Sequence, residues 1–526
     1  MTHEGGDASG LSQGLNHQDP VAVTLDGGPR TIARLDELLG RPLTVELAEA
    51  VWRRIDAGAE AIRRIASGSE AVYGVNTGFG PLCTKRITAD QLEKLQQNLI
   101  LSHAVGVGEP APAEVVRWMM LFKLHALSHG VSGIRRETAE CLRRMLCSDL
   151  LPVIPKQGSL GASGDLAPLA HMVLPMLGRG RVSVDGRERP ASEAMSAAGI
   201  ETVVLGPKEG LALINGTQFM ASYAAVMAVR ARRLLKHTDL VATMSLEGLK
   251  GSAAPFDEAL HRLRPHPGAE EVAQNVRRLM VDSEVLVSHA DCDRVQDPYS
   301  LRCVPQVHGA SRDALRHATE VIETEINSVT DNPLVLDGDR VVSGGAFHGQ
   351  PLALVMDYAA IALAELASIS ERRIYLLLSG DAELPILLMK DTGINSGFIL
   401  GQYTAAALVS ENKGLCTPAS VDSIPTSLGQ EDHVSMGARA AVKCLTVLDN
   451  TETVLAIEQL CAAQALDYRS PLKPGAGLRA AHARLREVIP HAEQDRLFSD
   501  DIQTSLSLLR SRRMVDAVEA RIGPLN

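Results

Sequence analysis

Ser163 stands between Ala162 and Gly164, two of the least crowded residue types, inside the run GSLGASGDLAPLAH from Gly158 to His171. A glycine amide that swings back onto the carbonyl two residues earlier closes a five-membered ring, and Ala and Gly hinder that closure least. If the central serine then loses water, the ring carries an exocyclic methylene next to a carbonyl. The product is an electrophile made from backbone alone. Read for structure only, the same residues are a helix start, with Ser163 or Asp165 as N-cap ahead of Leu166 and Pro168 early in the helix. Other chemistries find less support. The eight cysteines are scattered along the chain with no C-x-x-C pair, so they read as reduced thiols of a cytoplasmic protein. His261, His266 and His289 lack ligand-like spacing with acidic partners, and no metal site is expected. No glycine word ends in Gly-Lys-Ser/Thr, and chain order alone supports no Ser-His-Asp triad.

An electrophile of this kind needs elements that hold the loop and aim other groups at it. Aromatic residues make up only 3% of the 526, so the core must be built from Ala, Leu, Val and Ile, which favours helices over sheets. With 52 basic and 63 acidic side chains the net charge is −11, which argues against nucleic acid or an anionic membrane as a partner. Residues 1–20 read as a polar tail without the apolar run of a signal peptide. The most apolar stretch, Pro351 to Ser370, carries Asp357 and Glu365, so no membrane span is expected.

Val21 onward is β-compatible, Leu43 to Ser67 has helical spacing, and Arg181 to Ser192 reads as a hairpin turning at Asp185-Gly186. Dense glycine interrupts the helical pattern at Tyr73 to Gly80, Gln157 to Gly164 and Leu213 to Gly216. Beyond Thr217 the character changes to long Ala- and Leu-rich helices: Phe219 to Lys236, Ser311 to Val329, Gln350 to Leu378, Gln402 to Lys413 and Met436 to Asp467. The expected fold is mainly α. It has a glycine-punctuated N-terminal domain over 21–218 carrying the Ala-Ser-Gly loop, and a long-helix bundle with C-terminal helices over 219–526.

The run around Ser163 resembles the ammonia-lyases that carry 4-methylidene-imidazol-5-one. Further segments resemble the family in order: YGVNTGFG from Tyr73, NLILSHAVGVG from Asn98, KEGLALINGTQ from Lys208 and VQDPYSLRCVPQVHG from Val295. So do Phe347-His348-Gly349, ISERR from Ile369, SVDSIPTSLGQEDHVSM from Ser420 and LDYRSPLK from Leu466. The likeness runs over roughly residues 30 to 500. It implies a superhelical, fumarase-like helical protomer, a homotetramer with active sites shared between chains, and a prosthetic group formed from Ala162, Ser163 and Gly164 without any external cofactor.

Within the family, Ser102-His103 and Gln430-Glu431-Asp432-His433 are similar to the enzymes that act on histidine. His103 can hydrogen-bond an imidazole in either tautomer, and Glu431 can accept its N–H and stabilise positive charge on the ring. The resemblance implies elimination of ammonia from L-histidine to give trans-urocanate. The electrophile makes the amine a better leaving group, and either the amine or the ring attacks it. Tyr73 is implied as the base for the β-proton, although a phenol titrating near ~10 needs positive or dipolar neighbours to serve at neutral pH. Arg302 clamps the substrate carboxylate in two-pronged fashion. Asn215 and Tyr299 bracket the prosthetic ring or the substrate's polar groups, Gln296 assists, and Phe347 forms a wall against the substrate ring. Asp165 is expected to cap its helix.

Two positions depart from the family pattern: Ala346 replaces an asparagine ahead of Phe347, and Leu415-Cys416-Thr417 replaces a histidine-containing word. A site with the same electrophile that re-adds the amine to the β-carbon is a histidine 2,3-aminomutase. A tyrosine or phenylalanine lyase is disfavoured by His103 and Glu431, and a non-catalytic assembly partner by the retention of Tyr73 with Ala162, Ser163 and Gly164.

Overall fold

The computed structural model describes residues 19–82, 85–336 and 338–526, which leaves Cys83 and most of the expected polar tail outside the described residues. The chain divides into two compact units. One comprises the chain up to Ser222 together with Ile326–Gly349 and Ile424–Val434; the other comprises Tyr223–Glu325, Gln350–Ser423 and Ser435–Asn526. This division differs from the single break expected after residue 218. Two later segments return to the first unit, and they carry Phe347 and Glu431.

In the first unit, strands Val21–Leu25 and Leu43–Leu47 pair in parallel, Val21 opposite Leu43. Leu43 to Ser67 was expected to be helical throughout, but its first five residues form this second strand. The word LTVEL alternates buried and exposed side chains, a period of two rather than 3.6. The helix proper is Glu49–Ser67, and it buries Val51, Ile55, Gly58, Ala61 and Ile62 along one stripe. Helix Ala113–Leu127 is buried on every side from Val115 onward, including Lys123, so it forms the unit's central rod. Strands Arg181–Val184 and Arg187–Pro190 form the expected hairpin. Asp185 and Gly186 both have positive φ, +49° and +73°, as a two-residue type I′ turn requires.

Long helices build the second unit. Gln350–Leu378 packs along Gly437–Asp467, and Ile399–Leu415 lies against both. Their facing residues are mostly Ala, Leu and Val, small enough for close approach with few aromatics. The ISERR word from Ile369 lies on this helix pair. Both oxygens of Glu458 take the guanidinium of Arg373, at 2.6 and 2.8 Å, and each also accepts a serine hydroxyl at 2.6 Å, from Ser245 and Ser370.

Among the described residues, Gln350–Leu378 is long and apolar enough to cross a membrane, contrary to the exclusion drawn from Asp357 and Glu365. Neither acid interrupts the apolar surface. Asp357 is buried in an ion pair with Lys443 at 2.5 Å, and Glu365 points outward. Of the most apolar window, 67% is buried inside the protein, so packing against neighbouring helices accounts for its composition.

Candidate active site

Three glycines shape the loop before helix Leu166–Val173, with φ of +143° at Gly158, +76° at Gly161 and +74° at Gly164. A Cβ placed on Gly164 would lie 2.1 Å from the Gly216 carbonyl oxygen, so no larger residue fits there. Gly164 and Gly216 form a parallel bridge. The Asp165 N–H donates to the Gly216 carbonyl at 2.7 Å, and the Gly216 N–H donates to the Ser163 carbonyl at 3.3 Å. The glycine words around Ser163 and Asn215 are therefore two sides of one backbone contact.

Asp165 occupies the expected N-cap position of its own helix, but its side chain makes no capping bond there and caps another helix instead. One carboxylate oxygen accepts from the Met220 N–H at 2.9 Å, at the start of helix Gln218–Gly248, and the other accepts from the Ser159 hydroxyl at 3.0 Å. Burial pushes its pKa up to about 7, against these hydrogen bonds. Its partner helix is more than fifty residues away in sequence, so no local signal could have assigned this cap.

The Ser163 hydroxyl donates to Glu431 Oε1 at 3.3 Å. The other oxygen, Oε2, accepts from the hydroxyls of Thr426 at 2.9 Å and Ser427 at 2.7 Å, which fixes the carboxylate. His103 is the last residue of helix Leu92–His103, and its Nδ1 lies 3.0 Å from the Ser102 hydroxyl. Burial lowers its pKa below the usual histidine range, opposed by a hydrogen bond to Leu99 and by the charge of Glu431.

Asn215 is buried. Its Nδ2 donates to Asp331 Oδ1 at 3.3 Å and to the Asn332 carbonyl at 2.9 Å, while its buried Oδ1 has no partner. Beneath it lies a network that sequence reasoning missed. Lys208 Nζ donates to Asp331 Oδ2 at 2.7 Å and to the Ser132 carbonyl at 2.9 Å, and Lys123 Nζ donates to the Asn215 carbonyl at 2.7 Å. Burial lowers the pKa of Lys123 to about 7. A lysine inside the largely apolar run VVRWMMLFKLHAL was the available signal for Lys123.

Tyr73 is half-buried, and its hydroxyl accepts from the Gly80 N–H at 3.4 Å. It lines a cleft of about 700 Å³ together with Val72, Pro333 and Ser343. Phe347 is half-buried, and the adjacent His348 ring stacks on His433 at 5.9 Å. The first unit thus holds Tyr73, His103, the Ala162-Ser163-Gly164 loop, Asn215, Phe347 and Glu431.

Gln296, Tyr299 and Arg302 belong to the second unit. Gln296 is exposed and Tyr299 is 70% exposed, although it opens a short helix. The Arg302 guanidinium lies 4.5 Å from the centre of the Tyr299 ring, and its buried Nε lacks a hydrogen-bond partner. Of the two departures, Ala346 is exposed. Cys416 donates its thiol to the Ala360 carbonyl at 3.4 Å, and the Thr417 carbonyl accepts from Lys443 at 2.5 Å.

Comparison with known proteins places these features in a family. The chain matches the aromatic amino acid lyases over residues 30–487. A histidine ammonia-lyase of Natranaerobius thermophilus is 49% identical over 506 residues, covering 96% of this chain and 100% of that protein. The solved structure of histidine ammonia-lyase from Trypanosoma cruzi is 41% identical, with a TM-score of 0.88 and 95% of each chain covered. A tyrosine aminomutase from Streptomyces globisporus is 34% identical, with a TM-score of 0.90 over 96% of this chain and 100% of that one. This chain belongs to the aromatic amino acid lyase family.

Proposed function

We propose that this protein eliminates ammonia from L-histidine to give trans-urocanate. The observation that carries this reading is the meeting of Ser163 with Glu431 at 3.3 Å. A carboxylate held by Thr426 and Ser427 suits the N–H of an imidazole, and His103 can offer that ring a second hydrogen bond as donor or acceptor. A phenyl ring would leave this pair unused.

The residues present fit a prosthetic group made from Ala162, Ser163 and Gly164. Gly164 takes a conformation suited to glycine, Gly216 lies against it, and Asn215 next to that contact has an orphaned buried oxygen. Once formed, this ring supplies an electrophile that makes the substrate amine a better leaving group. The chain's own residues do the rest. Tyr73 removes the β-proton, Arg302 binds the carboxylate in two-pronged fashion, and Glu431 stabilises charge on the imidazole. Asn215 accepts from the amine, Tyr299 and Gln296 hold the polar groups, and Phe347 walls the ring.

We further infer a homotetramer whose copies share active sites. Tyr299 and the unpartnered Arg302 Nε lie in the second unit, and Leu354, Tyr358 and Ile361 leave an exposed apolar stripe on helix Gln350–Leu378. The seven described cysteines are free thiols, which suits the cytoplasm. The likeness to a tyrosine aminomutase favours one second reading, in which the amine returns to the β-carbon.

Intact mass tests the prosthetic group. The purified chain should be lighter than its sequence by two waters, and Ser163→Ala should restore the full mass and abolish ammonia release. A full-mass wild-type protein that still released ammonia would overturn this chemistry.

A further inference from the structure

Asn215 can face the site with either end of its amide, and the two ends have opposite chemistry: Nδ2 donates only, whereas Oδ1 accepts only. Both Nδ2 hydrogens are used, on Asp331 Oδ1 at 3.3 Å and on the Asn332 carbonyl at 2.9 Å. Turned over, the amide would press its oxygen against a carboxylate and a carbonyl, two acceptors with nothing to donate. Asp331 itself is only 4% exposed and is held on its second oxygen by Lys208, which is fully buried. Its first oxygen also accepts from the Asn332 N–H at 2.7 Å. The orphan that results, Oδ1, is a buried acceptor on the residue preceding Gly216, whose backbone pairs with Ser163 and Asp165.

We propose that Asp331, anchored by Lys208, is a positioning residue that locks the Asn215 amide with its oxygen free to accept from the substrate amine. This rests on the histidine ammonia-lyase reading above. The lock excludes the orientation that would set an N–H donor against the substrate ammonium. Asp331→Asn weakens the lock, because an asparagine there can donate to a turned-over Asn215, leaving only the Asn332 carbonyl to oppose that orientation.

The test is a double-mutant cycle on kcat/KM for L-histidine with wild type, Asp331→Asn, Asn215→Ala and the double variant. Intact mass and inhibition by imidazolepropionate, the substrate lacking its amine, are read in parallel. Asp331→Asn should lower kcat/KM on the order of 10- to 100-fold. It should keep the two-water mass deficit and leave the imidazolepropionate Ki unchanged. Asn215→Ala and the double variant should agree within about threefold. Multiplying losses, or a Ki that weakens together with kcat/KM, would overturn the proposal, because a merely structural role predicts both. If Asp331→Asn fails to fold with Lys208 left unpaired, Lys208→Met/Asp331→Asn removes both charges and enters the cycle in its place. Wild-type protein that releases no ammonia from L-histidine would instead bring down the functional reading, and this inference with it.

Discussion

Ser163 and Glu431 lie 268 residues apart and share a hydrogen bond, so the chemistry of the site depends on side chains that the fold must deliver separately. Glu431→Gln keeps the shape and removes the charge. It should lower kcat on L-histidine on the order of 10²-fold, with the two-water mass deficit retained; unimpaired turnover would remove the reason for choosing an imidazole substrate. Asp165 gives a separate prediction about stability. Its folded-state pKa is raised from 3.8 to about 7, so the stability it contributes is complete below pH ~4 and is lost as pH rises through about 7. Thermal melts of wild type and Asp165→Asn across this window should show wild type losing ground to the variant as pH rises; parallel curves would contradict the buried carboxylate. The Ala162-Ser163-Gly164 loop, His103 and Glu431 stood out in the sequence as candidates because they sit in distinctive local words. Asp331 and Lys208 did not, because a buried ion pair between positions 123 residues apart leaves no local pattern.

Helices carry most of what the sequence announced. Apolar residues at three- and four-residue spacing marked Gln350–Leu378 and the Gly437–Asp467 rod closely, since burial on nearly all sides requires that composition. The strand Leu43–Leu47 was hidden because its alternation covers only five residues and runs directly into a helix. The ISERR word was recognisable, but its physical role appeared only with Glu458, a buried acceptor for Arg373, Ser245 and Ser370. Both members of this ion pair are 0% exposed, so removing one leaves a charge buried without compensation. Glu458→Gln should cost about 3–5 kcal/mol, read as a lower unfolding midpoint in urea; a change under about 1 kcal/mol would mean that the serines and backbone satisfy Arg373 alone.

For the whole molecule, two units and a returning chain explain why a linear reading of domains differs from the observed one. Ile326–Gly349 and Ile424–Val434 belong to the first unit, although they follow long stretches of the second. Composition argued against nucleic acid or an anionic membrane as a partner through the net charge of −11. It misjudged helix Gln350–Leu378, whose acids are paired or turned outward rather than breaking its apolar length. The most direct test is chromatographic product analysis of the purified protein incubated with L-histidine. We expect trans-urocanate and ammonia in equal amounts; β-histidine, or no product from protein that carries the two-water mass deficit, would contradict a histidine ammonia-lyase.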